Sequence, residues 1–173
     1  MIKRLWAPWR RQYIEEIGKG MDRGCIFCNA VAENGDKSLL LYVDSHAMVL
    51  VNKYPYNPGH LMVAPTRHVG DLLLLSYEEV KSMWNLIKES VRILTRKYRP
   101  DGFNIGLNLG RLAGAGIEEH LHVHIVPRWA GDTNFMPVIA DTKVISSSLS
   151  DIVEDLKREF MQLKLTPNSS QEL

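Results

Sequence analysis

The chain has 173 residues, 45% of them hydrophobic and 24% charged, with a formal net charge of +1. That balance excludes a strongly basic nucleic-acid binder and an acidic disordered tail protein, and no apolar run reaches the ~18–20 residues of a membrane span. The length suits one domain, 1–173, which can bury ~70% of the surface its unfolded form exposes without disulfide staples.

Met1 to Arg11 carries Lys3, Arg4, Arg10 and Arg11 without an acid and has no apolar h-region, which argues against a secretory signal. Pro8 would interrupt the amphipathic helix of a transit peptide. Residues 1–24 read as an N-terminal extension. Cys25 and Cys28, three positions apart, make a poor disulfide framework and suit a reducing cytoplasm.

Leu39–Val43 and Ala47–Asn52 read as short strands, rich in Leu and Val and separated by Asp44-Ser45. Asn57-Pro58-Gly59 is a turn signal, and His60–Ala64 reads as a third strand in hairpin connection. Ser76 with Glu79 three positions on forms a capping-box signature. Val80, Met83, Trp84, Ile87, Val91, Leu94 and Tyr98 then keep helical spacing up to Pro100. Phe103–Asn108 is a fourth strand, and after a glycine-containing loop His120–Val126 is a fifth. A second helix, about Ser150 to Leu163, presents Ile152, Val153, Leu156, Phe160 and Leu163 on one stripe. Thr166–Leu173 is polar and reads as a frayed tail. Strands joined by short turns imply an antiparallel sheet with helices packed on it, an α+β layout.

His120-Leu121-His122-Val123-His124-Ile125-Val126 alternates without a break. On a strand, side chains at i, i+2 and i+4 share a face, so three imidazoles would point one way. Packing them together costs desolvation or repulsion, because imidazole is partly protonated near neutrality. Such a row asks for a metal, a nucleophile with supporting partners, or an anion. The preceding loop, Gly110-Arg111-Leu112-Ala113-Gly114-Ala115-Gly116, lacks the Gly-Lys-Ser/Thr ending of a P-loop. Between two strands it is either a flexible connection or, through bare N–H groups, an anion nest. His46 reads as an ordinary surface residue at a strand start.

His120 to Val126 matches in full the His-φ-His-φ-His-φ-φ motif, and the chain resembles the histidine-triad (HIT) family of nucleotide hydrolases and transferases. The likeness runs from Cys25-Ile26-Phe27-Cys28 through Asn57-Pro58-Gly59-His60 to Pro127-Arg128-Trp129. Within the family, Arg4–Arg10, Tyr54–His60 and Asn104–Gly110 resemble the diadenosine tetraphosphate phosphorylase branch. The resemblance implies a HIT-like fold, a five-stranded antiparallel sheet carrying a long helix and a C-terminal helix. It also implies covalent catalysis, with His122 attacking the α-phosphorus of a dinucleoside polyphosphate, His124 donating to phosphate oxygens and His60 beside them. Asn52 would lie near the ribose, Asn108 and the backbone of Gly114, Ala115 and Gly116 near the phosphates, and Trp129 near the nucleotide. Where relatives often carry Gln or Ser in that loop, this chain has Ala115-Gly116, which leaves water or inorganic phosphate open as the acceptor.

Cys25-x-x-Cys28 alone is ambiguous between metal ligands, a redox pair and plain thiols. The resemblance implies a structural zinc completed by His68 and His120, with no organic cofactor, and a homodimer joined through the long helix and an edge strand. Three other readings stand beside it: a phosphoramidate or adenylate hydrolase of the same family, a metal-dependent enzyme using all three triad histidines as ligands, and a non-catalytic nucleotide-binding module.

Overall fold

The structure, a computed structural model, describes residues 24–133 and 148–163. The readings of the N-terminal extension and of the frayed tail fall on residues outside these. Five strands, β1 (Leu40–Val43), β2 (Ala47–Val51), β3 (Leu61–Pro65), β4 (Gly102–Leu107) and β5 (Val123–Arg128), form one antiparallel sheet in the order β1-β2-β3-β5-β4. The α-helices among the described residues are α1 (Ile26–Val31), α2 (Tyr77–Tyr98) and α3 (Leu149–Leu163). This is the antiparallel α+β layout that the strands and turns imply, with the five strands, long helix and C-terminal helix that the resemblance implies.

The β1–β2 turn forms because the Asp44 carboxylate accepts the His46 and Ala47 N–H groups, each at 2.8 Å, so this short polar side chain substitutes for a ladder partner. His46 lies exposed there, as read. Gly59 takes φ +75 in the β2–β3 connection, where a Cβ would come within 3.0 Å of Leu94 and 3.2 Å of Tyr98. That turn therefore packs directly on α2. The helix itself starts at the Ser76–Glu79 capping box and stops at Arg99, in the left-handed region, ahead of Pro100.

One face of the sheet, through Val49, Val51, Leu61, Val63, Val123 and Ile125, packs against Met83, Ile87 and Leu94 of α2 and Ile152, Leu156 and Phe160 of α3. The other face places Met48, Leu50, Met62 and Ala64 against Phe27 and Ala30 of α1. Covered on both sides, β2 and β3 are buried at every position, which is why they read as apolar runs without alternation.

Three details differ from the sequence reading. The fifth strand runs Val123–Arg128, not His120–Val126, because β3 pairs only with Val123–Ile125 and the Leu121 N–H turns instead to the Val69 carbonyl at 2.8 Å. On α2, Val80 and Trp84 are 47% and 63% exposed, whereas Leu86 and Ile93 are buried. The apolar arc of the helix is wider than the strip that the sheet covers. Helix α1 carried no periodic signal, since six residues are too few for one.

Candidate active site and metal-ligand cluster

Cys25 immediately precedes α1 and Cys28 lies in its first turn; His68 follows β3, and His120 precedes β5. Gly70 makes their meeting possible: a Cβ there would stand 2.4 Å from the Glu118 carbonyl oxygen, so only glycine lets the two segments touch. Cys25 Sγ lies 3.1 Å from His120 Nδ1, Cys28 Sγ lies 3.7 Å from the same nitrogen, and Cys28 Sγ lies 3.2 Å from His68 Nδ1. All four ligand atoms lie within 4.8 Å of one another. The edges of a four-coordinate Cys₂His₂ site with bonds of ~2.0–2.3 Å are roughly 3.3–3.8 Å, so the donor set fits such a cation. The donor chemistry agrees. His120 Nε2–H donates to the Pro65 carbonyl at 2.8 Å, leaving the Nδ1 lone pair aimed at the thiols. Without a cation, burial and the facing Cys25 thiol push Cys28 up to about 11.

His122 follows in the extended segment ahead of β5. Its Nδ1–H donates to the His120 carbonyl at 2.8 Å, which leaves the lone pair on Nε2. Burial holds its imidazole below the ordinary His value, favouring the neutral form, and His120 is shifted the same way for the same reason. Phe27 packs on both rings, with centroids 4.8 Å from His120 and 5.1 Å from His122.

His124 sits on β5 beside His122, ring centroids 4.9 Å apart. The Tyr56 N–H lies 3.1 Å from His60 Nδ1; a backbone N–H can only donate, so His60 carries its proton on Nε2. That nitrogen faces His124 Nδ1 at 3.0 Å, which places the His124 proton on Nε2, the far side of its ring. The Tyr56 ring stacks on His60 at 5.0 Å and 16°. The three triad imidazoles do not converge on one point. Both His120 nitrogens are engaged at the cysteine cluster and at Pro65, and Nδ1 of His122 and of His124 face different partners. This geometry does not suit one metal ion shared by the triad.

Asn52 follows β2; its Oδ1 accepts the Tyr54 N–H at 2.8 Å, and its Nδ2 lies 3.4 Å from His60 Nε2 and 3.5 Å from the Met62 sulfur. A groove of about 280 Å³ runs along β4 beside His124, lined also by Tyr56, Asn104, Gly106 and Asn108. Asn108 Nδ2 donates to the Gly114 carbonyl at 3.3 Å and so ties the glycine-containing loop to the groove. That loop joins β4 to β5 through a single 3₁₀ turn, Arg111–Ala113, with Ala115 and Gly116 beyond it. Trp129 stands apart from the groove lining and gives its indole N–H to the Tyr98 carbonyl at 3.3 Å.

Asn57, read as part of a turn signal, and Asp132, which the sequence did not mark, hold the His60 turn. Buried Asn57 donates through Nδ2 to the Pro127 carbonyl and to Asp132 Oδ2, both at 2.8 Å, and its own carbonyl accepts the His60 N–H at 3.1 Å. Asp132 also accepts from Arg128 Nε at 2.5 Å, and that guanidinium holds its carboxyl well below the usual carboxylate range. Nothing in one dimension marks this pair, since the two residues lie 75 positions apart.

A fold and site of this kind define a class, the nucleotidyl hydrolases and transferases of the HIT type. The chain belongs to the HIT family: the HIT domain matches residues 33–131. It is 38% identical over 165 residues to AP-4-A phosphorylase of Mycobacterium tuberculosis, covering 92% of this chain and 85% of that protein. It is 30% identical over 92 residues to bis(5'-adenosyl)-triphosphatase of Dictyostelium discoideum, covering 53% of this chain and 61% of that protein. The crystal structure of a Zn-bound histidine triad family protein from Mycobacterium smegmatis superposes with a TM-score of 0.65 at 25% identity, covering 82% of this chain and 96% of that one.

Proposed function

We propose that the chain cleaves dinucleoside polyphosphates in two steps through a nucleotidyl group carried on His122. In the first, the His122 Nε2 lone pair forms a bond to the α-phosphorus, and the bond from that phosphorus to the bridging oxygen breaks, releasing the remaining nucleotide. In the second, water or inorganic phosphate attacks the same phosphorus and the P–N bond breaks, returning neutral imidazole. The observation that carries this reading is the buried His122 ring, whose Nδ1 is committed to the His120 carbonyl so that Nε2 is the nucleophilic nitrogen. His124 donates its Nε2 proton to phosphate oxygens, with His60 behind it. Asn52 meets the ribose, and Asn108 with the backbone of Gly114, Ala115 and Gly116 meets the phosphates. Trp129 enters as a nucleotide contact through the family pattern, its indole N–H being already committed to Tyr98. Similarity to an AP-4-A phosphorylase supports inorganic phosphate as the acceptor.

Zinc held by Cys25, Cys28, His68 and His120 would close a four-ligand structural site that ties α1 to the triad. Two copies of the chain are proposed to join through α2 and the edge strand β4. Exposed Val80 and Trp84 on the helix, and Ile105 on the strand, support this. The reading treats 1–173 as one catalytic domain in a reducing cytoplasm. Among the described residues no helix is long and apolar enough to cross a membrane.

The test is mass spectrometry of the protein quenched with diadenosine tetraphosphate. A mass increase of one adenylyl group on His122 is expected, with phosphate-dependent release of ADP. Undiminished turnover by His122→Ala would show the mechanism to be wrong.

A further inference from the structure

Glycine in a strand weakens it relative to alanine, unless the backbone is bent there or something approaches too closely for a side chain. Gly59 and Gly70 meet those conditions within the protein, one by its φ and packing, the other by a 2.4 Å approach to the Glu118 carbonyl. Gly106 meets neither. It lies in the interior of β4, is not among the glycines with left-handed φ, and a Cβ built on it meets nothing within 4 Å among the described residues. Among the described residues, neither the backbone nor the packing calls for a glycine at this position.

Its location supplies the reason. In the β4–β5 register Gly106 stands directly opposite His124, so its missing side chain would share that residue's face of the sheet. Asn104 lies on the same face two positions earlier, and Asn108 follows two positions later; all four residues line the groove. The amide of Asn104 is held by Arg128 Nη1 at 2.7 Å, and that of Asn108 by the Gly114 carbonyl. The groove floor is thus two fixed polar groups with a gap one side chain wide between them, immediately beside an imidazole.

We propose that Gly106 is a specificity-determining residue: the space its side chain would fill takes the phosphate portion of a nucleoside 5'-phosphate held against His124. This rests on the reading of the site as a nucleotidyl-transfer centre and adds the position that sets its width. Any side chain at 106 would narrow the groove over His124 without disturbing the fold.

The experiment is calorimetric titration of the full chain with AMP, on wild type, Gly106→Ala and Gly106→Val, alongside thermal melting and sedimentation velocity. Both variants are expected to melt no lower than wild type. AMP should bind Gly106→Ala more weakly and Gly106→Val more weakly still, by roughly 10- to 100-fold, the range expected when a filled site is overpacked. Equal AMP affinity in wild type and Gly106→Val overturns the proposal, as does unfolding of both variants, which would assign the glycine to the fold. Dissociation of a dimer with AMP binding retained also overturns it, assigning the gap to a second copy of the chain. A wild type that binds no AMP sinks the nucleotidyl-transfer reading itself, a result separable from all of these.

Discussion

The main-chain carbonyl of His120 accepts the Nδ1 proton of His122 across 2.8 Å, while the His120 ring turns the other way toward Cys25 and Cys28. One residue therefore joins the metal-ligand cluster to the proposed nucleophile. Its side chain answers to the thiols, and its backbone sets the tautomer of the neighbouring imidazole.

That junction predicts how loss of the proposed zinc is felt. Cys28→Ser, or chelation, should reduce bound zinc measured by mass spectrometry from about one per chain to near zero. Losing a structural metal belongs to the largest class of destabilisation, ~4 kcal/mol or more; melting should therefore fall by roughly 8–16 °C for a chain of this size. Turnover should fall less than in His122→Ala, because the cluster orients the nucleophile without touching substrate. Unchanged melting after chelation would remove the structural role.

His60 is predicted to act through His124. His60→Phe keeps a ring under Tyr56 but removes the Nε2–H that fixes the His124 tautomer. Turnover should drop roughly 10- to 100-fold, as when other partners that orient an imidazole are removed, with little change in KM. Nitrogen NMR of the imidazoles should show His124 losing its single tautomer; one unchanged tautomer in the variant would refute the relay.

Asp132→Ala should destabilise the fold, since it leaves the buried Asn57 amide one hydrogen bond short and removes the carboxylate from Arg128. Charge-assisted hydrogen bonds of this kind are worth ~1.5–3 kcal/mol each. Urea unfolding should show a loss of about that size. Asp132→Asn, which keeps an acceptor for Asn57, should recover part of it.

Acid stability should depend on Glu79. Its hydrogen bonds to Arg67 hold the carboxyl at about 2 against an ordinary 4.5, opposing its burial; Ser76 also contributes through its backbone N–H, which donates to Oε2, and through its side chain. A depressed folded-state value means the stabilisation is complete above the unfolded value and disappears as pH falls through the folded one. Wild type should thus lose it progressively between about pH 4.5 and pH 2. Arg67→Ala should be less stable at pH 7, and its deficit should shrink over that window. A deficit constant from pH 7 to pH 2 would exclude the linkage.

Much of the site was legible because it is written locally. The alternation His120-Leu121-His122-Val123-His124 put three imidazoles on one side before any strand was seen. The Ser76–Glu79 box marked the start of the long helix to the residue. The limits have physical causes. The fifth strand begins three residues late because β4 ends at Leu107, opposite Val123, and β3 pairs with it only from Val123 onward; a strand's length is set by its partners as well as by its own pattern. Val80 and Trp84 repeat at helical spacing yet stay exposed, since periodicity marks an apolar face without saying what covers it.

The sequence by itself determined the chemistry on offer: an imidazole row, a pair of thiols three residues apart, two more histidines within reach by resemblance, and an antiparallel α+β frame to carry them. The tertiary structure decided how those groups divide. It turned His120 toward the cysteines, gave the His122 Nδ1 proton to a carbonyl, set His60 behind His124, and placed Gly106 opposite His124. Those outcomes depend on distances between residues far apart in the chain. Local sequence sets which side chains share a face, while hydrogen-bond partners and empty space are set by whatever the fold brings up against that face.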